Sequence, residues 1–222
     1  MLLDNHGFDL WSDGYDEEVG ISDEDNTFPF AGYKEIMNSI YGDIMSKSPC
    51  KILDIGIGTG TLAKRLYDGG NDITGVDFSE EMLKRSRTKM PKANLLQFGI
   101  TEGLPPELKG AKFDFIVSTY ALHHLTDDEK TKFINLLFSH MDKTGTIIIG
   151  DISFRNMVDL EKCKNQCGDE WDEEFYFVFS EFEKALNSVC TLSYKQISHC
   201  GAVIKLHRYR GRIAPLAHRN RI

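Results

Sequence analysis

The segment Lys51-Ile52-Leu53-Asp54-Ile55-Gly56-Ile57-Gly58-Thr59-Gly60 constrains this chain more than any other. A short apolar strand, Lys51 to Ile55, runs directly into glycines at alternate positions, and Thr61 to Tyr67 behind them reads as a helix. At such a junction a ligand approaches the backbone at the carboxyl end of a sheet. Glycine is needed because a Cβ would block that approach or forbid the turn.

The following residues repeat the strand-then-helix theme. Asp72 to Asp77 reads as a second strand, and Ser79 caps a helix to about Lys89. Asn94 to Phe98 and Phe113 to Thr119 read as strands three and four. Thr126-Asp127-Asp128-Glu129 is a capping-box signature for a helix ending near Met141. Gly145 to Asp151 holds Ile147, Ile148 and Ile149, a run suited to a strand buried on both faces. Alternation of this kind predicts a doubly wound α/β sheet with right-handed crossovers.

Beyond it, residues 155–179 look helical but irregular, and Ser180-x-x-Glu183 predicts the cap of a helix to about Ser188. Thr191 to Ser198 and Ala202 to Tyr209 read as two strands turning at Cys200-Gly201, a link so short that they must pair antiparallel. With no repeat or low-complexity linker, one domain over 1–222 is expected. Its parts are an N-terminal helical lid (1–45), a core (50–151), a helical insertion (155–190) and a C-terminal hairpin (191–210).

Composition bounds the function. A 41% hydrophobic, 11% aromatic chain of 222 residues can bury a sizeable core. A net charge of −8 argues against a wholesale polyanion binder, so nucleic acid is not the expected partner. Met1 to Leu10 does not read as a signal peptide, and no run approaches the ~18–20 apolar residues that span a bilayer. The five cysteines lack a framework spacing, which suits reduced thiols in the cytoplasm. Residues 1–30 carry nine carboxylates and no Lys or Arg, with Phe8, Trp11 and Tyr15 at helical spacing, as in a short amphipathic helix.

Three features narrow the ligand. The dinucleotide pattern requires glycine at position 61, which is Thr61 here. Asp54 precedes the first glycine by two residues, where a carboxylate would repel a pyrophosphate and welcome an ammonium. Asp77 ends the second strand, placed to accept ribose hydroxyls. An adenosine with a cationic amino-acid tail, S-adenosylmethionine, fits better than NAD.

Lys51 to Thr61, Gly75-Val-Asp77-Phe-Ser and Val117 to Lys130 resemble class I S-adenosylmethionine-dependent methyltransferases, and are most similar to small methyltransferases of Gram-positive bacteria. The resemblance implies a seven-stranded Rossmann-like sheet, mostly parallel, whose last strand inserts antiparallel beside strand five. It further implies that Gly56, Gly58 and Gly60 line the methionine portion of the cofactor, that Asp54 holds that end, and that Asp77 binds the ribose. Phe78 and Met82 would flank the adenine, and Tyr15 would match the family's N-terminal lid tyrosine. Gly99-Ile100-Thr101 stands where the family usually has Gly-Asp-Ala, leaving adenine to backbone groups near Ile100 or to the Thr101 hydroxyl. Thr119, closing strand four, is the remaining cofactor-side candidate.

Methyl transfer needs few functional groups, since orientation alone is worth about 7–11 kcal/mol. The acid–base candidates are His123 and His124, after strand four. Either one of them touches a small-molecule acceptor, or one packs in the sheet–helix junction while the other bonds a backbone carbonyl. Ser118-Thr119-Tyr120-Ala121 lacks the proline-rich turn of nucleobase amino-methylating enzymes, which argues against that chemistry. Cys163 and Cys167 would share a helix face, but nothing completes a tetrahedral set, so no metal is expected. Arg208, Arg210, Arg212, Arg219 and Arg221 could dock on the acidic N-terminal region, within the chain or across a homodimer, or grip an anion. Other readings are an NAD-type oxidoreductase, a non-catalytic S-adenosylmethionine-binding module and an RNA or DNA modifier.

Overall fold

The computed structural model describes residues 26–209. Its strands are β1 (Lys51–Ile55), β2 (Asp72–Asp77), β3 (Asn94–Gln97), β4 (Phe113–Thr119), β5 (Met141–Phe154), β6 (Phe177–Val178), β7 (Cys190–Gln196) and β8 (Gly201–Arg208). The helices are α1 (Tyr33–Met45), α2 (Thr61–Asp68), α3 (Glu80–Lys89), α4 (Asp127–His140), α5 (Met157–Cys167) and α6 (Phe179–Leu186). Strand order is β3-β2-β1-β4-β5-β8-β7, with the two-residue β6 pairing β5 off this path. β1 to β5 run parallel, whereas β8 pairs antiparallel with both β5 and β7. The expected seven-stranded sheet is present, with β6 as an addition.

Strand alternation sorts the core onto two faces. Ile52 joins Ile36, Ile40 and Ile44 of α1 and Leu66 of α2 in one cluster. Leu53 and Ile55 join Phe133, Ile134 and Leu137 of α4 and Phe182 of α6 in the other. Asp54, two residues after Ile52, is therefore on the α1 face. Gly150 permits the close packing of α1, because a Cβ there would come within 2.5 Å of Ile36.

Local signals account for two helix starts. Ser79 accepts from the Met82 amide, and Thr126 and Glu129 form the reciprocal capping box. Three expectations need correction. Ser180 does not cap α6: the cap is Val178, without a side-chain bond, because the Ser180 amide is taken by the Arg155 carbonyl and Val178 pairs with Phe154. Only part of 155–179 is helical, since the chain after Glu170 extends to form β6. The hairpin turns over 197–200 rather than at Cys200-Gly201, with Ser198 Oγ accepting from the Gly201 amide at 2.9 Å and Gly201 already in β8. The region 1–25, including Tyr15 and its lid helix, and the tail 210–222 with four of the five arginines lie outside the described residues.

Candidate cofactor and acceptor site

The three loop glycines all have left-handed backbones, with φ of 70° at Gly56, 53° at Gly58 and 78° at Gly60. Gly56 is also sterically required: a Cβ would come within 2.5 Å of the Ala121 Cβ. The loop is fastened from outside. Ser86 Oγ donates to the Gly58 carbonyl at 2.8 Å, and Lys89 Nζ donates to the Thr59 carbonyl at 2.8 Å, both from α3. Asp77 Oδ2 accepts from the Gly58 amide at 2.8 Å, and its Oδ1 accepts from the Ser79 amide at 2.9 Å. The carboxylate that ends β2 thus fixes both the glycine loop and the start of α3.

A crevice opens above this loop, lined by Asp54, Gly56, Ile57, Gly58 and Thr59 below and by Thr119 and Tyr120 from the end of β4. Tyr33 and Met37 of α1 form its far wall. Asp54 is buried, and its Oδ1 has no hydrogen-bond partner among the described residues. Desolvation, then the Asp77 charge, pushes its pKa up to about 8. An orphaned buried carboxyl in a glycine-walled crevice is an invitation to a cation.

Among the sequence candidates, Asp54, Gly56, Gly58 and Thr119 are brought together in this lining, with Asp77 joined to it through Gly58. Gly60 caps α2, and a Cβ there would come within 3 Å of Met90 and Ser86. Phe78, buried Met82 and the turn Ile100–Glu102 follow β2 and β3 outside the lining, with Thr101 exposed. Tyr33, Met37 and Tyr120 were not singled out from sequence. Tyr120 has a left-handed φ of 50°, rare for a residue of its size, and its ring lies 5.3 Å from that of Tyr33.

Past Tyr120 the chain makes a tight turn, Leu122–His124. His123 is buried, and its Nδ1 lies 2.6 Å from Asp151 Oδ1. Asp151 is itself fully buried on β5 and accepts from the Leu122 amide at 3.2 Å and the Ile152 amide at 2.8 Å. The His124 ring lies 4.2 Å from that of His123, tilted by 55°, and burial, then His123, lowers its pKa to about 4. Its Nδ1 is 3.4 Å from Glu174 Oε2, whose own pKa burial raises. Both groups are driven toward their neutral forms, so this contact is no ion pair near neutrality. Phe28, Trp171 and Tyr176 cover this side, with Phe28 stacked on Trp171 at 5.0 Å and Tyr176 edge-on to Trp171 at 5.0 Å. Cys163 and Cys167 do share a face of α5, Sγ to Sγ 3.9 Å. Among the described residues no group of three or more potential ligands could hold a metal, and no helix is long and apolar enough to cross a membrane.

A doubly wound sheet, a left-handed glycine loop and two carboxyls near the ends of β1 and β2 define an α/β domain with a ligand crevice at the carboxyl edge of its sheet. Comparison with known proteins names the class more closely. The methyltransferase-domain family profile matches residues 52–145. A methyltransferase of Geobacillus sp. (strain WCH70) is 37% identical over 151 residues, 67% of each chain, and one of Bacillus cereus (strain 03BB102) is 37% identical over 157 residues, 70% of each. The chain belongs to the methyltransferase family. The fold matches magnesium protoporphyrin IX methyltransferase from Synechocystis PCC 6803 with a TM-score of 0.64 at 17% identity, covering 81% of this chain and 85% of that one. It also matches a TehB-like S-adenosylmethionine-dependent methyltransferase from Corynebacterium glutamicum, with a TM-score of 0.62 at 16% identity over 89% and 98% of the two chains.

Proposed function

We propose that this chain methylates a small molecule, held between the glycine loop and the segment 171–176. S-adenosylmethionine, when bound, supplies an electrophilic methyl group on a sulfonium. The Asp54 carboxylate takes the ammonium of its amino-acid tail, and the backbone at Gly56 and Gly58 gives that tail room. Asp77, held in place by the Gly58 and Ser79 amides, binds the ribose hydroxyls. Phe78, Met82, Ile100 and Thr101 form the adenine side, and Thr119 lines the cofactor side of the crevice with Asp54 and the glycine loop.

The observation that carries the small-molecule reading is enclosure. Tyr33 and Met37 wall the crevice, and Phe28 stacked on Trp171, with Tyr176 edge-on to both, covers the histidine side. Such a recess admits a small acceptor and excludes water, which favours orientation-driven transfer. A nucleic-acid or protein acceptor would have to present its target through that aromatic cover. Incubation with methyl-labelled S-adenosylmethionine and three acceptor pools (metabolite extract, total RNA, denatured protein) tests this. Label is expected in the metabolite pool. Label confined to RNA or protein would contradict the proposal.

A further inference from the structure

Asp151 carries no role in cofactor binding, yet it is a fully buried carboxylate bonded to a histidine beside the crevice. Its position follows from the sheet. Thr119 of β4 pairs with Gly150 of β5, and the Tyr120 amide donates to the Gly150 carbonyl at 2.9 Å. Asp151 is the next residue, so its carboxylate meets the turn that follows Tyr120. That turn is pinned to the glycine loop, because Ala121 packs directly on Gly56. His123 is therefore two residues from the contact that adjoins the methionine end of the crevice.

We propose that Asp151 is a positioning residue that holds His123 with its hydrogen on Nδ1, leaving Nε2 as the general base for a hydroxyl acceptor. With Asp151 as the acceptor in the 2.6 Å contact, the hydrogen of a neutral His123 sits on Nδ1. Three attachments, to His123 and to the Leu122 and Ile152 amides, hold the carboxylate in one orientation. The charged or titratable groups facing His123 are Asp151 from β5, His124 from its own turn, and Glu174 and Tyr176 from the covering segment. Burial lowers the His124 pKa to about 4, which makes that ring a weak base.

A base is superfluous for a carboxylate or thiolate acceptor, which is already anionic, so a base held this rigidly suits a neutral hydroxyl. In the transfer the acceptor O–H bond breaks, and its proton passes to His123 Nε2. The new C–O bond forms as the S–CH3 bond breaks and its electron pair stays on sulfur. The imidazolium then returns its proton to water.

This assignment rests on the proposed methyl transfer, and the test separates the two. Long-range proton–nitrogen NMR on 15N-histidine protein reads the tautomer without any acceptor. His123 is expected with Nδ1 protonated in wild type, and in Asp151→Asn that preference is expected to be lost. With a panel of hydroxyl, carboxyl, thiol and amine acceptors, Asp151→Asn and His123→Gln are each expected to lower kcat about 100-fold or more on hydroxyl acceptors. Asp151→Glu should recover part of the loss, and affinity for S-adenosylhomocysteine should stay within about twofold in all variants. A wild-type His123 protonated on Nε2 overturns the assignment, as does turnover of only carboxyl or thiol acceptors, or full turnover in His123→Gln. Failure of wild type to bind S-adenosylhomocysteine would instead overturn the proposed function.

Discussion

Asp54 and Asp77 feel each other across the crevice wall: burial first, and then the Asp77 charge, raises the Asp54 pKa to about 8. The ordinary value of such a carboxyl is near 3.8, so the folded chain keeps this proton where the unfolded chain has lost it. Stability from this group is complete below the unfolded value and falls as pH rises toward about 8. Asp54→Asn should therefore stabilise the ligand-free protein at pH 8 and change little at pH 4, as read by urea unfolding. Equal effects at both pH values would contradict the burial.

Ligand binding should carry the opposite linkage. A cation beside Asp54 favours its ionised form, so S-adenosylhomocysteine should expel the proton and bind more tightly as pH rises from about 6 to about 8. Calorimetry in buffers of different ionisation enthalpy measures that release directly. No proton release in wild type, or undiminished release in Asp54→Asn, would disprove the contact.

Gly56 and Gly58 are both left-handed, but only Gly56 is crowded. Gly58→Ala should cost about 1–2 kcal/mol from backbone strain alone. Gly56→Ala should cost more, since its methyl group would meet Ala121 at 2.5 Å. Denaturant midpoints of the two variants check the order.

Lys130 is a buried cation whose Nζ donates to Asp127 Oδ1 at 2.9 Å and to the Phe175 carbonyl. It fastens the covering segment to α4, beside the Phe175 amide that bonds the His123 carbonyl at 3.0 Å. Lys130→Met should lose about 1–3 kcal/mol by leaving that carbonyl unsatisfied. Hydrogen exchange at Phe175 should accelerate more than at Ile148, deep in β5.

The parallel half of the fold is legible because its signals are local: alternating strands, glycines before a helix, and the caps at Ser79 and Thr126. The covering segment is not. Val178 becomes a helix start only because Phe154, 24 residues earlier, offers it a strand partner. Asp151 escaped notice for a similar reason, its partner His123 lying 28 residues away. One clue existed, since a carboxylate beside Ile147, Ile148 and Ile149 in a strand buried on both faces must find a partner. Tyr33 and Tyr120 reach the crevice through packing of α1 and an unusual backbone angle, which no spacing reveals.

The measurement closest to the central claim is calorimetric titration of wild type and Asp77→Ala with S-adenosylhomocysteine and NADH. Wild type should bind one S-adenosylhomocysteine per chain and no NADH, and Asp77→Ala should bind at least about tenfold more weakly, a charge-assisted hydrogen bond being worth about 1.5–3 kcal/mol. Tight NADH binding, or undiminished S-adenosylhomocysteine affinity in Asp77→Ala, would contradict the account.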